Sequence, residues 1–495
     1  MRKAATGAIT ITSTSSSPNN LDHQHAVVIG ASMAGLLAAR VLSDHFEQVT
    51  IIERDWPSEQ IEPRKGVPQG RHVHILLMQG ELILRDLFPD LYPTLAQEGA
   101  VPVASDEVQW YDAGLWKGPS PNPIKGYAAS RPFLEQYVRR FVEARANVRF
   151  LHGCEVNGLY ASKESRRITG VSLIHSNEDR RAETLTADLV VDASGRGSRA
   201  PQWLASLGYG NVAEDRVNVD VGYATRIYHH PPSFAPSWKL LLIYPTPPQE
   251  KRSGLVFPIE DDRWMVTLAG RLRDYPPDDE AGFVAYARSL PEPSLYEAIK
   301  EAEPVTPIVT YKYTANRWRH YERMSRLPDG FIVLGDAVCS FNPVYGQGMS
   351  VAALEAKLLD TCLRQHQKAH HNLAGLPRHF QQALVNVVKT PWRLSTGEDF
   401  RYPGTQGNRP FGMHLLHWYT RRVNELTASN PFVAGRFYHV LHLLEPPTTL
   451  FDPRVVWAVL RRELAERRLM LAAAPAAGQA DARKSDNRTP VQSAR

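Results

Sequence analysis

The sequence predicts an α/β fold with α+β inserts: a Rossmann-type nucleotide-binding domain, a mostly antiparallel second sheet and C-terminal helices. Three observations predict it. Residues 26–53 read as strand, glycine turn, helix, strand and acid. Residues 331–357 hold a second buried strand that runs through Gly335–Asp336 into a Pro- and Gly-rich loop and a helix. Between them, 211–330 carry the apolar–polar alternation of half-buried strands.

The first unit opens on AVVIGASMAG. Ala26–Ile29 is the short apolar run of a buried parallel strand. Gly30 lets the chain turn at the strand end. A small residue at Ser32 lets a pyrophosphate approach the backbone, and Gly35 lets the next helix lie close to the strand. Met33 and Ala34 fall in the same turn, where a helix N-terminus offers N–H groups and a positive dipole end to an anion. The second strand, Val49–Ile52, ends in Glu53, placed to accept hydrogen bonds from a ribose diol, with Arg54 beside it. Ser32 stands where the fingerprint usually has its middle glycine, so the reading rests on the whole unit.

Further along, His72 and His74 in GRHVH are two apart and could share a strand face. No third ligand stands near them, so no metal is expected. Arg131 precedes Pro132 at a helix start, where its guanidinium could reach a phosphate or a flavin edge. DLVVDASGRGSR (188–199) reads as a buried strand ending at Asp192 and a glycine-rich turn. GYGNVA (208–213) fits GxGxxA, but it lies between a helix and a strand, the reverse of the order a nucleotide needs. No second dinucleotide module is visible.

The strands VNVDVGYATRIY, KLLLIYPT and GLVFPIEDDRWMVTLAG suit an antiparallel sheet over the site, with Tyr223, Tyr244, Phe257 and Trp264 as pocket-lining candidates. Arg226 is the residue there that could anchor a carboxylate. At the far end, Asp336 would bind a ribitol hydroxyl. Gly346, Gly348 and Met349 would bring N–H groups at a helix N-terminus against an isoalloxazine, whose reduced form is negative near N1. With Glu53 at the other end of one extended ligand, the tight cofactor is FAD rather than NAD. Residues 371–471 read as amphipathic helices with Arg on the polar faces. Packing on the body is favoured over peripheral membrane contact.

Composition agrees with a globular protein: 495 residues, 43% hydrophobic and 22% charged. A net charge of +5 is too small and dispersed to argue for nucleic acid. The three cysteines, Cys154, Cys339 and Cys362, form no disulfide or metal pattern, so a reducing, cytoplasmic setting is the default. No apolar run reaches the length of a membrane span. The expected division is a disordered tail (1–24), the first part of the FAD-binding domain (25–210), a substrate domain (211–330), the last part of the FAD-binding domain (331–370), a helical region (371–471) and a second tail (472–495).

These motifs, in this order, resemble the FAD-dependent monooxygenases of the aromatic hydroxylase superfamily. Within it, GASMAGLLAARVL, PRKGVPQGRHVHILL (63–77), SRPFLE (130–135), DASGRGSR (192–199), YATR (223–226) and FNPVYGQGMS (341–350) are most similar to squalene epoxidase and the flavin epoxidases of bacterial polyether pathways, over roughly residues 25 to 365. The resemblance implies oxygen insertion into an apolar substrate through an FAD C4a-hydroperoxide, by alkene epoxidation or hydroxylation. It makes Arg71, in the segment that runs beside the flavin, an expected cofactor contact. It implies no acid–base residue, because such chemistry asks the protein to position and to desolvate. Electrons would come from reduced nicotinamide or from reduced flavin through a partner reductase. The rivals are a flavin-dependent reductase of prenyl chains and a non-catalytic prenyl-lipid carrier. The WxWxIP signature of halogenases is absent.

Overall fold

The computed structural model describes residues 24–473 apart from 59, 122, 163–166, 177–179 and 371. The tail segments 1–24 and 472–495 lie outside the described residues, save Gln24 and the end of the last helix.

A five-stranded parallel sheet forms the base, in the order Phe331–Val333, Leu189–Asp192, His25–Ile29, Gln48–Glu53, Val148–His152. Apart from His25 and Asp192 at their ends, the strands His25–Ile29 and Leu189–Asp192 are apolar, because both faces of the sheet are covered. Helices Met33–Leu42 and Gly348–Ala369 pack on each other within one continuous core with the sheet. Register brings three strand ends level: Ile29 stands opposite both Asp192 and Ile52, and Asp192 stands opposite Val333. The turns at Gly30, Ala193 and Gly335 therefore meet at one edge, the carboxyl edge where open α/β sheets bind ligands. Gly30 has φ +96, and a Cβ there would sit 2.8 Å from the Ala193 carbonyl oxygen. A Cβ on Gly35 would sit 1.9 Å from the Gly30 carbonyl oxygen. Helix and strand touch as closely as the glycine spacing predicts.

The second sheet has eight strands: Cys339–Ser340, Val309–His320, Ala213–His229, Arg263–Gly270, Arg252–Ile259, Leu240–Ile243, Val108–Asp112 and Leu115–Trp116. All pairs are antiparallel except Leu240–Ile243 with Val108–Asp112. The last two strands come from residues that a boundary at 210/211 assigns to the dinucleotide unit. The substrate layer thus draws on both sides of that boundary. Alternation along Arg263–Gly270 sends Trp264, Val266 and Leu268 into a core under helices Glu280–Arg288 and Ser294–Ile299, while Met265 faces the opposite cluster with Phe257 and Leu240.

The chain then returns through the long helix Leu376–Asp399. Helices Met413–Leu426, Pro431–Leu441 and Pro453–Ala473 share a small core of their own around Val423, Val433 and Val455. Among the described residues, no helix is long and apolar enough to cross a membrane.

Candidate functional site

A crevice of about 460 Å³ runs along the carboxyl edge of the parallel sheet. Gly30, Ser32, Met33, Ala34, Glu53, Arg54 and Arg131 line one end, and Asp336, Gly346, Gly348 and Met349 line the other. Gly35 acts from below, through its contact with Gly30. Arg71 does not join them. It ends the short turn Pro68–Arg71, is exposed, and is absent from the crevice wall, which Gln69 reaches instead. The structure thus brings together the other expected cofactor residues and leaves Arg71 at the exposed end of that turn.

The near end is a lattice of charge. Glu53 Oε2 accepts the Ala31 N–H, and Oε1 accepts the Asp55 N–H, both at 3.0 Å. Arg64 reaches Glu53 at 2.8 Å and also pairs with Glu135. Ser32 Oγ accepts from Arg131 Nη2 at 2.7 Å and donates to Glu135 Oε2 at 3.2 Å. Arg139 donates to the Ala31 carbonyl at 2.7 Å. Burial opposes ionisation of Glu53, but Arg64 and the two N–H groups outweigh it and hold the carboxyl below its usual range. Burial is likewise outweighed at Glu135, by Arg131 and Arg64. The Nε of Arg131 is buried on this wall without a partner among the described residues. A buried donor left over beside a helix N-terminus suits a phosphate oxygen. The Ser32 side chain is committed to its neighbours and leaves the backbone approach open.

The far end is sparer. Gly335 has φ +66, and a Cβ there would meet Ala34 Cβ at 2.8 Å, so this turn lies directly on the fingerprint helix. The Asp336 carboxyl has no hydrogen-bond partner among the described residues, and burial raises its pKa despite Arg131, Arg196 and Arg317 nearby. Beneath it Glu355, fully buried, accepts the Gly335 N–H on Oε2 at 2.5 Å and leaves Oε1 unpartnered. Burial pushes this carboxyl up to about 8 against the Gly335 hydrogen bond, and Asp336 adds to the rise.

The turn that leads into the helix Gly348–Ala369 is held from behind. Tyr244 Oη donates to the Val344 carbonyl at 2.9 Å. Asp399 accepts from the Asn342 side chain at 2.8 Å and from Tyr345 Oη at 2.9 Å, and Tyr223 Oη donates to Asn342 at 3.0 Å. Gly346, at φ +63, then turns the chain into the helix that opens at Gly348, whose N-cap Gln347 makes no side-chain bond to the first N–H groups. Those donors face the crevice. The cradle therefore fits FAD: a steric slot and a spare Arg131 donor for pyrophosphate, a fixed acid for one diol, an open acid for ribitol, and a helix N-terminus beyond it.

An apolar cavity of about 130 Å³ adjoins the crevice and shares His74, Ile75, Arg131 and Met349 with it. Phe257 lines this cavity, as expected. Tyr223 lines a smaller one of about 30 Å³ with His72. Tyr244 braces the turn. Trp264 is corrected: strand parity puts it on the opposite face, against Trp238 and Phe283. Arg226 does not serve a carboxylate ligand, since it pairs with Glu280 and the Thr306 carbonyl. His72 hydrogen-bonds Thr225 at 2.7 Å through Nδ1, and His74 bonds the His72 carbonyl at 2.9 Å through Nδ1.

Arg64, Glu135, Arg139 and Glu355 were not legible as site residues by motif. For two of them a signal existed. Arg131, Glu135 and Arg139 stand four apart on one face of helix Arg131–Glu143. Arg64 sits in an irregular loop, where spacing carries no such information.

The family model described as FAD binding domain matches residues 23–373. The chain is 36% identical over 452 residues to Protein Rv3254 of Mycobacterium tuberculosis, covering 85% of this chain and 94% of that protein. It is 27% identical over 363 residues to a kynurenine 3-monooxygenase of Salinispora arenicola, covering 70% of this chain and 74% of that enzyme. Its fold is similar to that of a flavoprotein/dehydrogenase from Cytophaga hutchinsonii, with TM-score 0.62, 16% identity, and coverage of 91% of this chain and 99% of that one.

Proposed function

The chain belongs to the FAD binding domain family, and from that premise we propose that it is a flavin-dependent monooxygenase that inserts one atom of dioxygen into an apolar substrate, by alkene epoxidation or hydroxylation. The observation that carries this reading is the apolar cavity that meets the cofactor crevice at Met349, His74 and Ile75. The relative named as a kynurenine 3-monooxygenase supports oxygen insertion. The stretches similar to squalene epoxidase and the polyether epoxidases support an alkene substrate.

Reduced FAD, when bound, supplies the activation of dioxygen. The chain's own contribution is to hold and to exclude. Glu53, Arg131 and Asp336 fix the two ends of the cofactor. The N–H groups from Gly348 onward stabilise negative charge by about 0.3–1 kcal/mol if exposed and more in a dry site. The apolar wall keeps water from the reacting oxygen. Reduced nicotinamide, or reduced flavin from a partner reductase, supplies the electrons.

Turnover under oxygen-18 gas, with product mass as the readout, tests the reading. A product that gains one heavy oxygen is expected. A saturated product without label would instead support a prenyl-chain reductase, and a protein that takes up no FAD would support a lipid carrier.

A further inference from the structure

The cavity beside Met349 is apolar over most of its wall, through Leu95, Val103, Val108, Ile124, Leu240 and Phe257. Two lining residues depart from this. Tyr92 is 3% exposed, and its hydroxyl makes no hydrogen bond among the described residues. His442 follows helix Pro431–Leu441, beyond the part of the chain that matches the family. Its Nδ1 accepts the Met78 N–H at 3.1 Å. A ring nitrogen that accepts carries no proton, so the neutral imidazole carries its proton on Nε2. Burial, with His439 nearby, lowers the ring to about 4, which keeps it neutral near pH 7. Nε2–H finds no acceptor among the described residues.

Four other polar side chains on the wall have partners of their own. Glu81 binds Arg85 at 2.6 Å, Ser105 Oγ accepts the Ile124 N–H at 3.0 Å, and His74 Nδ1 bonds the His72 carbonyl. Arg131 is tied to Ser32 and Glu135 through Nη2, and its spare Nε is the donor assigned above to the pyrophosphate. Unmade hydrogen bonds in a dry site cost free energy, so two spare donors on one cavity call for an acceptor. A cavity of about 130 Å³ is close to the ~150 Å³ that holds a benzene ring in an engineered case.

Resting on the monooxygenase reading for the identity of the cavity, we infer that Tyr92 and His442 anchor the substrate. They select an uncharged, ring-sized apolar group that carries one hydrogen-bond-acceptor oxygen, and not a carboxylate. A carbonyl oxygen has two lone pairs, one for each donor. A carboxylate would meet the Glu81 side chain on the same wall.

The test is calorimetric titration of the FAD-loaded protein, oxidised and without reductant, with cyclohexanone, methylenecyclohexane and benzoate. Since nothing turns over, the result stands apart from whether the enzyme transfers oxygen. Cyclohexanone is expected to bind at least tenfold tighter than its isostere methylenecyclohexane, and benzoate no tighter than methylenecyclohexane. Tyr92→Phe and His442→Asn, the latter keeping an acceptor for Met78, should each cut the preference to threefold or less. The affinity for methylenecyclohexane and the FAD content should stay within twofold, which shows that the variants fold. His442→Gln, which can place an amide N–H near the Nε2 position, should restore part of the preference. A preference that survives in the Tyr92→Phe/His442→Asn double variant overturns the inference. So does benzoate binding tighter than cyclohexanone, or no binding of either neutral probe at 10 mM.

Discussion

The two ends of the cofactor crevice each present a carboxylate, Glu53 and Asp336, and hold it in opposite ways. Glu53 is saturated: two backbone N–H groups and Arg64 hold it ionised. Among the described residues Asp336 has no donor, and Glu355 beneath it has one for two oxygens. Their carboxyls are pushed up where that of Glu53 is pulled down. The near end is built before the ligand arrives, while the far end is left to be completed by it. A site that must grip one half of a cofactor while the other half changes charge gains from that asymmetry.

The largest expected break of this contrast is Arg64→Met. It strands Glu53 and Glu135, each about 6% exposed, without their shared cation. Arg131 and Arg139 still flank Glu135, so the loss should be about 2–4 kcal/mol at pH 7, under the full cost of breaking a buried pair. Both carboxyls have folded values below their unfolded ones, so their contribution is present above the usual carboxylate range and is lost as pH falls. The gap between parent and variant in urea unfolding should therefore be widest near neutrality and shrink as pH falls below the usual carboxylate range. A gap that does not change with pH would mean that Arg64 acts by packing alone.

Asp336→Ala should act on the ligand and not on the fold. It removes one charged hydrogen bond, about 1–3 kcal/mol of FAD affinity, with little change in apoprotein stability, because no protein partner is left behind. Equilibrium dialysis of FAD against the variant, beside thermal unfolding of its apo form, checks both halves. Unchanged affinity would remove the ribitol role.

A third variant is Glu355→Gln, which keeps an acceptor for the Gly335 N–H. The folded carboxyl stays protonated up to about 8, whereas the unfolded one ionises near its ordinary value. Between those two points the unfolded state binds fewer protons, so the parent loses stability as pH rises. The glutamine does not titrate. Its Tm should pass that of the parent by a few degrees at pH 8 and match it near pH 4. Parallel Tm curves would show that Glu355 is ionised in the fold.

The near end was legible because its chemistry is backbone chemistry: Gly30, Gly35 and the strand-end acid leave a spaced imprint that no other use of those residues requires. The parallel sheet was legible for the same reason, as its strands must be apolar on both faces. The substrate layer was less so. Val108–Asp112 is a short strand paired across more than a hundred residues with Leu240–Ile243, and such pairing leaves no mark on local alternation. Trp264 and Phe257 both read as aromatic strand residues, and only register assigns them to opposite faces. Arg71 and Arg64 both sit in a basic loop, and which one turns inward is decided by a single turn at Pro68. His442 lies where no motif reaches, since its role depends on which helix end comes to rest on Met78.

One consequence of the interleaved sheets concerns synthesis. Leu189–Asp192 emerges early, but its outer neighbour Phe331–Val333 follows roughly 140 residues later, a delay on the order of 10 s at ribosomal speed. The long strand Ala213–His229 waits similarly for Val309–His320, and the Gly335 turn stitches both sheets to the Cys339–Ser340 edge within a few residues. Neither sheet is complete until the same short stretch has left the ribosome. The nascent chain therefore carries two open edges at once and closes them together, which makes the interval before residue 340 the time when a chaperone has most to shield.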